Sequence, residues 1–253
     1  MMKRLLVIAV LLIATAGLLF AGGSKESPSG EKTIVVATDA TWPPMEFVNR
    51  DKEIVGFDID LMRAAAKAGG FNVEFKNTAW DGIFAGLANG DYDAVISSVT
   101  ITDERQKTMD FSVPYINAGQ VLIVPKSTTG VTTLQDLKGK AVGAQIGTTG
   151  AIEINKVSGV ELRTYDELGL AIEDLANGRI AGVVADTPIA ANYALQNDNY
   201  KDRLKIVGEP FTNELYGVAV KKGNTEVLDM VNKGLKAVLD AGKDKELKDK
   251  WLR

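Results

Sequence analysis

Polar side chains collect at the carboxyl ends of four predicted strands. Asp39 follows residues 33–37, Ser97-Ser98-Val99-Thr100 closes residues 93–97, Gly147-Thr148-Thr149 follows residues 140–145, and Asp186 follows residues 180–185. Ligands of open parallel sheets bind beyond those ends, where loops and helix N-termini converge. Hydroxyls, backbone N–H groups and two carboxylates suit a small, polar, hydrogen-bonding molecule. Arg105 lies one turn into a helix that Thr102 can cap, inside Asp103-Glu104-Arg105-Gln106-Lys107. Taken alone it reads as a solvated helix charge, with Asp103 and Glu104 favouring the dipole of the first turn. Asp186 alone reads as the N-cap of a helix opening at Thr187-Pro188, and Asp39 as a turn residue. Covalent and metal chemistry finds no support: the chain has no His and no Cys, no H-E-x-x-H pair and no Gly-rich lysine loop for phosphate. No metal, catalytic residue or cofactor is therefore expected.

The elements that must position these residues alternate. A strand at 33–37 precedes a helix that Asp58 can cap, with Ile59, Met62, Ala65 and Ala66 on one face and Gly69-Gly70 at its end. Strands at 71–75 and 93–97 flank a helix at 80–89 that stops at Gly90. A second series runs through strands at 140–145 and 161–165, a helix at 166–177 and a strand at 180–185. The spacing then predicts a strand at 216–220, a helix at 224–240 and a short Lys/Glu-rich helix ending at Trp251. Alternation of this kind specifies an α/β fold with largely parallel sheets, and two series specify two lobes. The series echo one another, Asn89-Gly90 leading into Ala94-Val95-Ile96 and Asn177-Gly178 into Gly182-Val183-Val184. A helix ending at Asn-Gly before an apolar strand is also a common connection, so the echo supports similar lobes without proving duplication.

At the N-terminus, Met1-Met2-Lys3-Arg4 precedes an apolar run at 5–21 and then Gly22-Gly23-Ser24-Lys25-Glu26-Ser27-Pro28-Ser29-Gly30. This pattern predicts an export signal at 1–23, cleaved near residues 21–23, and a linker at 24–30. An uncleaved anchor is the competing reading, because the run is near the lower limit for a membrane span. Leu19-Phe20-Ala21-Gly22 resembles the front of a lipoprotein box, but Gly23 stands where the lipid-bearing Cys is required. Lipidation is excluded for this sequence. Without the signal's Lys3 and Arg4, 27 basic residues face 33 acidic ones. An acidic chain with no Lys/Arg block is a poor partner for nucleic acid.

Several stretches, in this order and spacing, resemble the periplasmic polar amino-acid-binding proteins of ABC importers. They are Thr38-Asp39-Ala40-Thr41-Trp42-Pro43-Pro44-Met45-Glu46-Phe47, Gly56-Phe57-Asp58-Ile59-Asp60-Leu61, Thr100-Ile101-Thr102-Asp103-Glu104-Arg105, Asp110-Phe111-Ser112-Val113-Pro114-Tyr115, Gly147-Thr148-Thr149-Gly150 and Ala185-Asp186-Thr187-Pro188. The resemblance covers residues 32–253 and implies a two-lobe, type II periplasmic-binding-protein fold with two chain crossovers at the hinge. The lobe boundaries expected are 31–118 with 216–253 for the first, and 119–215 for the second. It further implies an exported, periplasmic, monomeric protein that closes over its ligand and meets a membrane permease.

Under that resemblance Arg105 becomes the bidentate partner of a ligand carboxylate, with N–H groups near Thr148 and Thr149 adding donors from the other lobe. Asp186 becomes the countercharge of the ligand ammonium, helped by the Thr100 hydroxyl and the Ser98 carbonyl, and Ser97 is a further ligand-binding position. Trp42 and Trp80 match aromatic wall positions, although Trp80 also has Ile83, Phe84 and Leu87 behind it at helical spacing and so fits ordinary packing. Asp39 matches the position that reads the side chain in basic-amino-acid and glutamine binders, and Gln145 offers a neutral contact. Some glutamine binders carry a His where Ala185 stands here, so arginine or another basic amino acid is favoured over glutamine. The rival from another class is a cyclohexadienyl dehydratase-like enzyme on the same fold, which needs a general acid aimed at a leaving hydroxyl.

Overall fold

The computed structural model describes residues 31–253. The signal and linker expected at residues 1–30 lie outside them. The β-branched and apolar runs form two five-stranded sheets of one design. In the first, the order is Asn72–Asn77, Thr33–Thr38, Ala94–Val95, Ala219–Lys221 and Met109–Phe111. In the second, it is Glu161–Tyr165, Ala141–Gln145, Gly182–Asp186, Gln120–Pro125 and Leu204–Val207. Three strands in each are parallel, and the fourth runs antiparallel to both its neighbours. Parallel strands need helical crossovers, and the amphipathic helices Phe57–Gly69, Trp80–Asn89 and Leu168–Ala176 supply them. Leu168, Ala171, Ile172 and Leu175 are buried on one face, as their spacing predicts.

The chain passes between the sheets twice, through Ile116–Ala118 and Glu214–Tyr216, which pair antiparallel. The expected two-lobe fold with two crossovers is thus observed. One strand expected at 216–220 is instead two, Glu214–Tyr216 and Ala219–Lys221. Tyr216 pairs with Ile116 while Ala219 pairs with Val95, so the chain changes partners at Gly217. A side chain at Gly217 would meet Ile101 at 2.9 Å. Only two residues, Ala94–Val95, keep ladder geometry where five were expected.

Asp58 does not cap its helix. The helix starts at Phe57, and Gly56 occupies the N-cap with φ of 136°, its α-carbon so near Met45 that a β-carbon would lie 2.1 Å from the Met45 carbonyl oxygen. Burying Phe57 turns Asp58 inward, where its carboxylate accepts the Ser98 N–H at 2.8 Å and the Tyr115 hydroxyl at 2.8 Å.

Helix Phe57–Gly69 packs on helix Thr225–Asp240, and Gly234 makes the crossing close. A β-carbon there would fall 2.1 Å from the Ala65 carbonyl oxygen, a backbone atom that cannot swing aside. Gly234→Ala therefore forces the helices apart. Destabilisation of about 1–3 kcal/mol is expected from overpacking of this kind. Urea unfolding of the variant measures it, and an unchanged midpoint would show that the helices slide freely.

Candidate functional site

Strand ends of both sheets face one cavity of about 320 Å³. It is lined by all eleven residues anticipated from sequence, namely Asp39, Trp42, Trp80, Ser97, Ser98, Thr100, Arg105, Gln145, Thr148, Thr149 and Asp186, together with Glu46.

Local folding explains each placement. Asp39 follows Thr33–Thr38, and its N–H donates to the Ser97 hydroxyl oxygen at 3.0 Å. The Ser97 hydroxyl in turn donates to Glu46 Oε1 at 3.0 Å. The Asp39 carboxylate accepts the Thr41 hydroxyl at 2.8 Å and, from the other lobe, Gln145 Nε2 at 2.9 Å. Ser98 has a φ of 50°, a left-handed conformation unusual for a residue with a side chain. The Asp58 carboxylate holds it there through the Ser98 N–H.

Thr102 caps helix Asp103–Thr108, its hydroxyl accepting the Arg105 N–H at 3.2 Å. That start directs the Arg105 guanidinium to the Thr100 carbonyl at 2.9 Å, with a longer bond of 3.4 Å to the Gly147 carbonyl across the cleft. The guanidinium carbon also lies 5.3 Å from the Trp80 ring centre and 5.1 Å from that of Phe84. Trp80 thus packs at helical spacing and lines the cavity at once. Arg105 is not a solvated helix charge. On the opposite side, Thr148 caps helix Thr149–Asn155 by accepting the Ala151 N–H at 3.4 Å. Asp186 occupies the N-cap of Thr187–Ala191 but makes no side-chain cap bond. Its carboxylate accepts the Tyr216 hydroxyl at 2.6 Å.

The sequence reading gave no role to Glu46, Tyr216 or Glu214, and took Asp58 only for a helix cap. Glu46 had a signal: a charged residue between Met45 and Phe47 in a short strand, where it proves fully buried. Glu214 had none, since Thr212-Asn213-Glu214 reads as an ordinary surface turn.

The site is strongly acidic. Burial raises Asp39, and burial together with the Asp58 charge pushes Glu46 well above the usual carboxylate range. Burial carries Asp58 up to about 6. Asp186 also reaches about 6, through burial first and then the nearby charge of Glu214. Burial lowers Arg105, opposed by the attraction of Asp186 and Glu214.

These shifts carry a sign for stability. A carboxyl raised from 3.8 to about 6 binds more protons folded than unfolded across that window, so its contribution worsens as pH rises through it. The penalty is absent below about 3.8 and complete above about 6. Asp186→Asn removes it. Without added amino acid, the variant's stability relative to the parent should improve from pH 4 to pH 7 by roughly 2–3 kcal/mol. Urea unfolding at both pH values tests this, and a pH-independent difference would mean that Asp186 titrates like an exposed carboxyl.

Comparison with known proteins agrees with this architecture. The family model of the bacterial extracellular solute-binding proteins, family 3, matches residues 34–253. The chain belongs to this family. A family 3 relative, a probable histidine-binding protein of Neisseria gonorrhoeae, is 39% identical over 225 residues, covering 87% of this chain and 83% of that protein. ABC transporter arginine-binding protein 1 of Escherichia coli (strain K12) is 35% identical over 257 residues, with 99% of each chain covered. Among solved structures, an ancestral arginine-binding protein bound to arginine matches with a TM-score of 0.83 and 43% identity, over 88% of this chain and 100% of that one. These family 3 relatives are binding proteins, and the type II architecture expected from sequence holds.

Proposed function

We propose that this protein captures a basic amino acid, arginine foremost, in the cavity between its lobes and presents it to an ABC transporter. The observation that carries the reading is a charge inventory: one guanidinium, Arg105, lines the cavity with the acidic side chains of Asp39, Glu46 and Asp186. Arginine carries one carboxylate and two cationic groups, the complement of that set. Arg105 takes the carboxylate, aided by the N–H groups opening helix Thr149–Asn155. Asp186 takes the ammonium. The ligand guanidinium lies between Trp42 and Trp80 near Asp39, its charge balancing acids that burial penalises. The relatives named for arginine and histidine support this class of ligand.

Export to the periplasm, a monomeric state, lobe boundaries at residues 118 and 215, and contact with a permease complete the proposal. Closure follows from differential contact: residues of the second lobe, Gln145, Thr148, Thr149 and Asp186, engage the ligand only in the shut state. Binding occurs without turnover.

A thermal-shift screen of the common amino acids tests the reading. Arginine at about a thousandfold over its dissociation constant stabilises by about 4 kcal/mol, more than glutamine at the same concentration. Asp39→Asn weakens arginine by roughly 1–3 kcal/mol and glutamine less, since an amide still accepts but no longer offers charge. A parent chain that ignores arginine and lysine but takes a neutral amino acid would refute the basic ligand while leaving a binding protein. Release of product from a prephenate-like acid would instead favour the dehydratase.

A further inference from the structure

Glu214 sits at the first position of the crossover strand Glu214–Tyr216 and is only 7% exposed. Three threonine hydroxyls converge on its carboxylate. Thr212 donates to Oε1 at 2.9 Å, while Thr100 and Thr149 both donate to Oε2 at 2.7 Å. Thr100 belongs to the first lobe, where its carbonyl also holds Arg105. Thr149 opens a helix of the second lobe, and its oxygen accepts Gln120 Nε2 at 3.1 Å. A single carboxylate oxygen on the crossover thus holds one hydroxyl from each lobe.

We propose that Glu214 is a positioning residue that latches the two lobes together and sets their closing equilibrium without itself contacting the ligand. The proposal rests on the reading that the cleft shuts over an amino acid. Hydroxyl bonds to a buried carboxylate oxygen are strong, and parting the lobes exchanges at least one for water. Three other bonds between the lobes, Gln145 to Asp39, Arg105 to the Gly147 carbonyl and Tyr216 to Asp186, each use a side chain that lines the cavity and that a ligand recruits. Glu214 does not line it. Its effect therefore falls on the open and shut populations, and affinity follows from the fraction that is competent.

Because the chain has no Cys, two spin labels can be introduced cleanly through Ala79→Cys and Glu167→Cys, which line the same outer part of the cleft. Distances between the labels are then measured by double electron resonance without added amino acid. The parent should show a short-distance population that Glu214→Ala moves to longer distances. Glu214→Gln, which keeps one oxygen able to accept both hydroxyls, should restore most of it. With arginine bound, Glu214→Ala should release ligand about tenfold faster in stopped flow. If Glu214→Ala does not fold, Thr100→Val, which removes only the first-lobe hydroxyl, should give the same shift. An unchanged distance distribution in the folded variants overturns the latch, as does a parent that is already open and does not respond. The unliganded distances decide the question even if arginine proves to be the wrong ligand.

Discussion

Alanine at position 105 abolishes amino-acid binding in calorimetry while circular dichroism still reports a folded chain. The guanidinium is the one cation among the acids of the cavity, and it is braced by the Thr100 carbonyl and the Trp80 and Phe84 rings. A bracing of this kind fixes the fork before the ligand arrives, so little entropy is lost when it grips a carboxylate. Truncation leaves that carboxylate desolvated and unpaired, at a cost of roughly 2–5 kcal/mol. The fold survives because helix Asp103–Thr108 contributes no buried residue. Arg105→Lys keeps the charge but cannot span both carboxylate oxygens, and falls between parent and alanine. Near-parental affinity in Arg105→Ala would remove Arg105 from the site.

Asp186→Asn gives the second large effect, and its two consequences have opposite signs. Binding weakens by roughly 2–5 kcal/mol, because the ligand ammonium loses its negative partner inside the cleft. The unliganded protein at neutral pH becomes more stable, because the carboxyl that burial raises to about 6 no longer has to ionise there. Stability is traded for recognition at one residue. Calorimetry with arginine and urea unfolding without it measure the two halves separately. A variant that loses affinity and stability together would make Asp186 a structural acid held by Tyr216 rather than a ligand group.

Much of this site was legible because strand ends are legible. Asp39, the Ser97 to Thr100 run, Thr148, Thr149 and Asp186 follow short apolar runs directly, and the topology of a parallel sheet then brings such ends to one place. Arg105 needed more, since helix Asp103–Thr108 reads as polar surface by composition; family resemblance, not periodicity, marked it. The remainder depends on contacts between residues far apart in the chain. Gln145 and Asp39 are 106 positions apart, and Thr100 and Glu214 are 114 apart. Asp58 failed as a cap because the burial of Phe57 and the positive φ of Gly56 start the helix earlier than capping propensity alone suggests. The break at Gly217 arises from a change of partner strand, which local β-propensity does not record.

The strand Ala219–Lys221 lies between Ala94–Val95 and Met109–Phe111, inside the first sheet rather than at its rim. During synthesis, residues 31–118 therefore emerge from the ribosome with a gap in their sheet that no earlier residue can fill. Two unsatisfied strand edges face that gap until residue 221 has been made, by which time the second sheet is already complete in the nascent chain. The first half of the molecule is thus the last to lock. A chain built in this order stays pliable through most of its translation.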